Sequence, residues 1–331
     1  MIFSFFNKIS YKLILKILIS IGILAVLVLN MNQQDLRNSL SQVISSEYYM
    51  GWIYGLTFLI AQLFFISWRW KALINIGHFR MSYIESLQVN IASQVANMLF
   101  LATISGIAVK IALACQFGAS LFKSIFATAI DRGFTLIALI ILTILFLPAL
   151  GKYMDHPFSD YIIGIIVAAV FIGLIVLPFF LNKIMQIVIK KFSKHSKIRS
   201  GLRYVTLLLS QPFLLLKVTM ISLIAQICFF VAIYGLTHAM GLKLSLLEIM
   251  VVMPIIVLIS SLPISFGGWG VREGAFIYGM SLFHVPAETA FTISVQIGLL
   301  GLASIIICSI PALLNIKKIS FIAYKKKDDC V

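Results

Sequence analysis

One stretch deep in the C-terminal half combines an interrupted helix pattern with charge inside apolar sequence. Residues 262–274 read LPISFGGWGVREG and lie between two strongly apolar runs. In hydrocarbon, irregular backbone is tolerated only where it packs inside protein or lines a wet cavity, because every N–H and C=O group needs a partner. A charge at the bilayer centre costs about 2.5–3.5 kcal/mol on insertion scales, so intramembrane charges mark functional sites. The stretch predicts such a site; the alternative is a tight interhelical turn with Arg272 and Glu273 at the headgroups.

A second, earlier stretch has a similar pattern. Residues 106–110 read GIAVK and match GWGVR at 268–272. In both stretches a glycine is followed four residues later by a cation. Glycine interrupts a helix and would let the flanking helices shift. The predicted hinge and motif residues are Gly106, Pro263, Ser265, Gly267, Gly268, Trp269, Gly270 and Gly274.

Five ionisable residues are difficult to assign to a membrane surface: Lys110, Asp131, Arg132, Arg272 and Glu273. Three cations against two carboxylates leave an excess of positive charge. A wet, cation-rich cavity with helix N-termini behind glycines suits an anionic headgroup such as phosphate. We expect the three cations to bind the substrate, and the two carboxylates to hold those cations in place.

The same charges also predict a pairing pattern. Neighbouring residues on a helix diverge by about 100°, so Asp131 is not expected to pair with Arg132, nor Arg272 with Glu273. Pairing across the two halves of the chain would satisfy these groups instead. The expected pairs are Asp131 with Arg272, or Arg132 with Glu273.

Composition limits the class of protein. Of the 331 residues, 61% are hydrophobic and 11% are charged. Soluble domains are about 45–50% apolar and about 25% charged, so this composition predicts a polytopic membrane protein. The 331 residues contain no polar stretch long enough for a soluble catalytic domain.

Charge and cysteine usage exclude several other functions. The formal net charge is +15, but the basic residues cluster at the ends of apolar runs, which is the positive-inside pattern. A nucleic-acid partner is therefore not expected. The four cysteines and five histidines are scattered, with no CxxC or HxxxH spacing, so we expect no metal and no other cofactor.

Basic clusters also predict the topology. Lysine and arginine mark cytoplasmic segments, which places both termini and the basic loop 183–203 in the cytoplasm. Arg69 is assigned to a cytoplasmic loop, together with Lys71 and Arg80, and the polar loop 32–47 suits the outside. The predicted membrane-spanning segments are 17–29, 49–68, 125–147, 161–181, 213–237 and 291–314.

Two apolar but interrupted segments remain, at 84–119 and 246–283. For the topology to close, the first begins and ends inside and the second begins and ends outside. Such a pair is typical of an inverted repeat, whose broken segments meet at a substrate site. The predicted fold is an all-α polytopic transmembrane bundle forming a single domain over 1–331, with pseudo-repeat halves 49–182 and 204–316. The sequence leaves open whether the two segments are re-entrant or complete helical hairpins.

The motif residues carry a resemblance to a known family. PISFGGWGVREG at 263–274 resembles the signature P-x-S-x-G-G-x-G-x-R-E-G/A of the lysylphosphatidylglycerol synthase transmembrane region, the flippase-like or UPF0104 family. Asp131-Arg132 resembles the acid–arginine pair of that family. Lys110 stands where the family usually has arginine, and the preceding LATISG at 101–106 lacks the family's proline.

The resemblance implies a bacterial inner-membrane protein that handles lipids. Because the chain has no soluble aminoacyltransferase domain, it implies the translocase and not the synthase. The implied function is a flippase-like transporter of an anionic phospholipid or a lipid-linked glycan or aminoacyl lipid. No GxxxxGK[ST] motif for ATP occurs in the sequence.

Two other functions stay open at this point. One is an intramembrane transferase with Asp131 or Glu273 as general base, although no nucleophile–base spacing is recognisable. The other is an accessory subunit that assembles with enzymes of envelope biosynthesis. We expect a transport protein rather than an enzyme, because the sequence has no metal or nucleotide motif. The buried charges argue against a purely structural subunit, because such charges are costly to retain where only packing matters.

Overall fold

The computed structural model of the chain describes residues 18–43, 48–99, 103–150, 196–261 and 269–314. Within these ranges every regular element is a helix and no strand occurs. The prediction of an all-α membrane protein is confirmed. The predicted span 161–181, the first part of the basic loop and both chain ends lie outside the described residues.

Eleven helices lie within the described part of the chain. They are α1 (Leu18–Leu29), α2 (Gln33–Gln42), α3 (Tyr49–Ile74), α4 (Tyr83–Leu99), α5 (Thr103–Gln116), α6 (Leu121–Leu150), α7 (Ser196–Leu209), α8 (Pro212–Ala239), α9 (Leu246–Ser260), α10 (Val271–Ser281) and α11 (Ala287–Leu314).

Four of these helices, α3, α6, α8 and α11, are long and apolar enough to cross a membrane. A hydrocarbon core of about 30 Å requires about 20 mostly apolar residues, and these helices have 26, 30, 28 and 28. Helices α1 and α2 would add a fifth span if taken together, although they meet at a bend of 102°. The chain is therefore a multi-pass membrane protein.

The polar segment predicted as the loop 32–47 contains a helix. Asn32 caps α2, since its Oδ1 accepts a hydrogen bond from Gln34 N at 3.0 Å. The backbone N–H of Asn32 donates to Glu288 Oε1 at 3.1 Å, and Leu36 packs with Phe291. The cap and these contacts with α11 explain why a polar sequence is helical here.

Each interrupted segment forms a pair of short helices. α4 and α5 have 17 and 14 residues, and α9 and α10 have 15 and 11. At 1.5 Å per residue, none exceeds about 26 Å, which is shorter than the hydrocarbon core. Each pair packs together, and α4 donates from Ser93 Oγ to the Gly106 carbonyl of α5 at 2.9 Å. Their re-entrant course and inverted orientation stay predictions.

Contacts divide the chain into two units. The first comprises residues 1–59, 146–157 and 229–303, and the second comprises 60–145, 158–228 and 304–331. Described core residues of the first unit are Ile249, Met253, Ile256, Phe276 and Met280. The second unit has a core around Trp70, Leu73, Ile74, Val89, Ala114, Ala127, Tyr204 and Val218. The predicted single domain with two sequence halves stays a prediction.

The basic loop predicted at 183–203 ends in a helix. Residues from Ser196 onward belong to α7. Tyr204 and Leu208 anchor this helix in the core of the second unit, where the Tyr204 hydroxyl donates to the Leu73 carbonyl at 2.9 Å. The apolar residues after the basic run therefore pack against α3.

Candidate functional site

The second unit holds a buried carboxylate between two cations. Asp131 of α6 accepts from Arg69 Nε at 2.7 Å through Oδ1 and from Lys110 Nζ at 2.8 Å through Oδ2. The three residues are only 3–6% exposed. We call this group the Asp131 cluster; it joins α3, α5 and α6.

Arg69 is held by more than its ion pair. Its Nη1 donates to Ser222 Oγ at 3.1 Å, and its Nη2 donates to Thr135 Oγ1 at 2.9 Å. Asp131 and Thr135 lie four residues apart and so share one face of α6. All three guanidinium nitrogens have partners, so Arg69 is fixed in place.

Lys110 lies at the edge of the same cluster. Its Nζ is 4.2 Å from the centre of the Trp70 ring, in a cation–π contact. Two basic side chains share one carboxylate, so with both protonated the buried cluster formally carries one excess positive charge. Arg132 is exposed, although it interacts electrostatically with Asp131 and Arg69. The side chains of Asp131 and Arg132 leave α6 in different directions because they are consecutive residues.

The first unit holds a different arrangement around Glu273 of α10, which is fully buried. Its Oε2 accepts from the backbone N–H of Gly270 at 2.6 Å, which caps the first turn of the helix. Its Oε1 accepts from Arg272 Nη2 at 2.6 Å and from Ser294 Oγ at 3.3 Å. We call this group the Glu273 cluster; it joins α10 and α11.

Arg272 is the partly exposed member of the Glu273 cluster, with 21% of its side chain accessible. Its guanidinium lies 4.6 Å from the centre of the Trp269 ring, and its Nε donates to Ser294 Oγ at 3.2 Å. A Cβ at Gly298 would come within 2.8 Å of Nη2, so this glycine leaves room for the guanidinium.

Gly270 precedes α10 with a φ of +86°, which disfavours any other residue. A Cβ there would also approach the Ile23 side chain of α1 to 3.0 Å. Gly106 has a packing role in the second unit, since a Cβ would collide with Asn97 and the Ser93 carbonyl of α4. A Cβ at Gly274 would meet nothing within 4 Å.

The chain matches a known protein family over most of its length. The family model for the lysylphosphatidylglycerol synthase TM region matches residues 13–309. The chain belongs to this family. The resemblance inferred from the motif is confirmed, and membership indicates a membrane role related to lipids. No curated protein and no solved structure matches the chain significantly.

In this member of the lysylphosphatidylglycerol synthase TM region family, the predicted cross-pairing is wrong. Asp131 pairs with Arg69 and Lys110, and Glu273 pairs with its neighbour Arg272. Arg272 and Glu273 pair, although they diverge by about 100° on the helix, because the Glu273 side chain folds back to cap the helix. Its carboxylate then comes within reach of the long arginine side chain.

The structure places the other predicted site residues as follows. In the second unit Lys110 and Asp131 are in contact, whereas Arg132 follows Asp131 in sequence but is exposed. In the first unit the contacts join Trp269, Gly270, Arg272 and Glu273. Pro263, Ser265, Gly267 and Gly268 lie outside the described residues.

Sequence reasoning missed Arg69 because it assigned this residue to a cytoplasmic loop. After Trp70 and Lys71 the sequence returns to the apolar residues Ala72, Leu73 and Ile74, and α3 continues to Ile74. That apolar continuation was the signal that Arg69 lies within the helix.

The geometry favours binding over proton transfer. Both oxygens of Asp131 accept from cations, and both oxygens of Glu273 accept hydrogen bonds. Either carboxylate would have to break these bonds before it could take a proton. Among the described residues, no group of three or more His, Cys, Asp or Glu side chains could hold a metal ion.

Proposed function

We propose that the chain is a lipid translocase of the bacterial inner membrane, with both termini in the cytoplasm. It would move an anionic phospholipid, or a lipid-linked glycan or aminoacyl lipid, between leaflets. The observation that carries the proposal is the excess positive charge of the Asp131 cluster, buried among membrane helices. A buried cation without a full counter-charge is costly, and an anionic headgroup would supply that charge.

The two cations of the Asp131 cluster and the neighbouring Arg132 have separate tasks in this proposal. Arg69 stays with Asp131, because three of its hydrogen bonds go to protein groups. Lys110 has a single ion pair and three donors, so it can bind a phosphate oxygen as well. Arg132 is exposed and offers a planar guanidinium, which matches phosphate in a bidentate geometry.

The Glu273 cluster would bind a headgroup with one cation. Arg272 Nη1 donates to no described residue, and the side chain is partly exposed. Trp269 restricts the guanidinium from one side. Arg272 can therefore keep its ion pair while it donates to a phosphate oxygen.

Transport would follow from unequal affinities in two conformations. A ligand shifts a conformational equilibrium only by its differential affinity for the two states. The sequence has no ATP-binding motif, so the lipid gradient or an ion gradient would supply the energy. The short helix pairs α4–α5 and α9–α10 are the elements that we expect to move.

The test is exchange of labelled anionic phospholipid between leaflets of proteoliposomes. We expect Arg132→Gln and Arg272→Gln each to slow protein-dependent exchange about 10- to 100-fold, because a charged hydrogen bond contributes about 1.5–3 kcal/mol. Arg37→Gln is the matched control, since Arg37 is exposed on α2, and it should exchange lipid at the wild-type rate. Equal rates in all four proteins would contradict the proposal.

A further inference from the structure

A cavity lies on a face of α3 that the Asp131 cluster does not use. It has a volume of about 260 Å³ and is lined by Phe64, Phe65, Trp68, Lys71 and Tyr83. Phe64, Trp68 and Lys71 are spaced i, i+4 and i+7, so they share one face of the helix. Trp68 is 43% exposed, whereas its neighbour Arg69 is 3% exposed and faces the buried cluster.

The walls of this cavity are aromatic, and a ring contact and a hydrogen bond hold them in place. The rings of Phe65 and Trp68 lie 6.5 Å apart at 28°. The Tyr83 hydroxyl donates to the Phe64 carbonyl at 3.1 Å, which ties the start of α4 to α3. Tryptophan and tyrosine at the edge of a membrane helix are typical of the level of the lipid headgroups.

Two lysines flank the exposed tryptophan. Lys71 lines the cavity, and Lys217 Nζ of α8 lies 5.4 Å from the centre of the Trp68 ring. Neither lysine forms an ion pair with a carboxylate of the described residues. The aromatic cavity therefore has one lysine in its lining and a second beside Trp68, and neither has a carboxylate partner among the described residues.

We propose that this cavity binds an anionic phospholipid as a resident ligand. Lys71 and Lys217 would bind its phosphate, and Phe64 and Trp68 would pack against the glycerol and the first part of an acyl chain. The volume is below the roughly 300–1,000 Å³ of pockets that enclose a whole small molecule. It suits one part of a longer lipid whose remainder lies in the bilayer.

This site is independent of the proposed translocation. Its residues do not belong to the Asp131 or Glu273 cluster, and binding there requires no movement between leaflets. An anionic surface attracts each nearby lysine by about 1 kcal/mol, which corresponds to a preference of roughly fivefold per lysine for anionic over zwitterionic lipid.

The test is quenching of Trp68 fluorescence by brominated lipids in the purified protein. The difference between wild type and Trp68→Phe gives the Trp68 component of the emission. We expect brominated phosphatidylglycerol to quench this component with at least tenfold higher affinity than brominated phosphatidylcholine. The preference should vanish in Lys71→Gln/Lys217→Gln and persist in Lys71→Arg/Lys217→Arg.

Lys243→Gln is the control, because Lys243 is an exposed lysine of the first unit, and it should keep the wild-type preference. If the double variant does not fold, Lys217→Gln alone should lower the preference about fivefold. Equal quenching by the two lipids in the wild type would show an apolar surface without anion selectivity and overturn the proposal. Absence of quenching by both lipids would also overturn it, since another protein surface would then cover the cavity.

Discussion

The two charged clusters differ in how each carboxylate is neutralised. Asp131 divides its two oxygens between two cationic side chains, and every member of that cluster is buried. One oxygen of Glu273 accepts a hydrogen bond from a backbone N–H, and the other accepts from Arg272, which is partly exposed. The first cluster therefore holds more cation than anion, whereas the second is a balanced pair.

The carboxylate therefore has a different role in each cluster: Asp131 only neutralises cations, whereas Glu273 also caps a helix. In the Asp131 cluster the carboxylate keeps two like charges together, and the surplus charge is the one that we propose binds a headgroup. In the Glu273 cluster the carboxylate also begins a helix, so its loss would affect the backbone as well as the ion pair. We expect the two regions to respond differently to matched substitutions.

The largest effect is expected from removing the carboxylate of the Asp131 cluster. Asp131→Asn would leave Arg69 and Lys110 buried without a counter-charge, which costs about 3–5 kcal/mol of unfolding free energy. Glu273→Gln should cost less, about 1–3 kcal/mol, because its amide oxygen can still accept from Gly270. Denaturant unfolding in detergent micelles measures both losses of unfolding free energy. A larger loss for Glu273→Gln than for Asp131→Asn would contradict the proposed difference between the two clusters.

Removing the surplus cation should have a smaller effect on stability. Lys110→Met would leave Arg69 paired with Asp131 and place a thioether over Trp70. Replacing buried charge with a well-packed apolar group is often nearly neutral, so we expect a change within about 1.5 kcal/mol. If the same unfolding measurement gave a loss as large as that of Asp131→Asn, the surplus charge would be structural.

Two glycines at the start of α10, Gly270 and Gly274, give a matched pair of substitutions. Gly270→Ala forces a side chain into a positive φ and against Ile23, so we expect a loss of about 1–3 kcal/mol. Gly274→Ala meets nothing within 4 Å and should stabilise α10 by up to about 1 kcal/mol. Thermal unfolding of both variants checks the sign of each change, and destabilisation by both would contradict the assigned geometry.

The smallest effect is expected from the aromatic contact of the Glu273 cluster. Trp269→Leu removes the cation–π contact with Arg272, which contributes about 0.5–1 kcal/mol at a partly exposed site. Loss of stability should therefore be slight in unfolding curves. Trp269→Phe retains an aromatic face and should fall between Trp269→Leu and the wild type.

The sequence was sufficient to predict the helices that are recognisable as long apolar runs. The spans predicted at 49–68, 125–147, 213–237 and 291–314 correspond to α3, α6, α8 and α11, each of which is longer than predicted. The helix α2 was missed because its formation depends on the Asn32 cap and on contacts with α11. Asn32 is a common type of N-cap residue, but the contacts with α11 are not visible in the sequence.

The site was predictable in its residue types but not in its pairing. Lys110, Asp131 and Glu273 were singled out because charges in apolar sequence are conspicuous, and all three are buried. Their partners depend on which helices pack together, and a single sequence does not contain that information. Arg69 was therefore omitted, and the pairing across the halves was wrong.

The most direct test of the central claim compares the headgroup selectivity of lipid exchange in wild type and Lys110→Met. Proteoliposomes would carry a labelled anionic phospholipid or a labelled zwitterionic one. We predict that the wild type exchanges the anionic lipid at least tenfold faster, and that Lys110→Met loses this preference while it remains folded. Unchanged selectivity in folded Lys110→Met would contradict the claim that the surplus charge of the Asp131 cluster binds the headgroup.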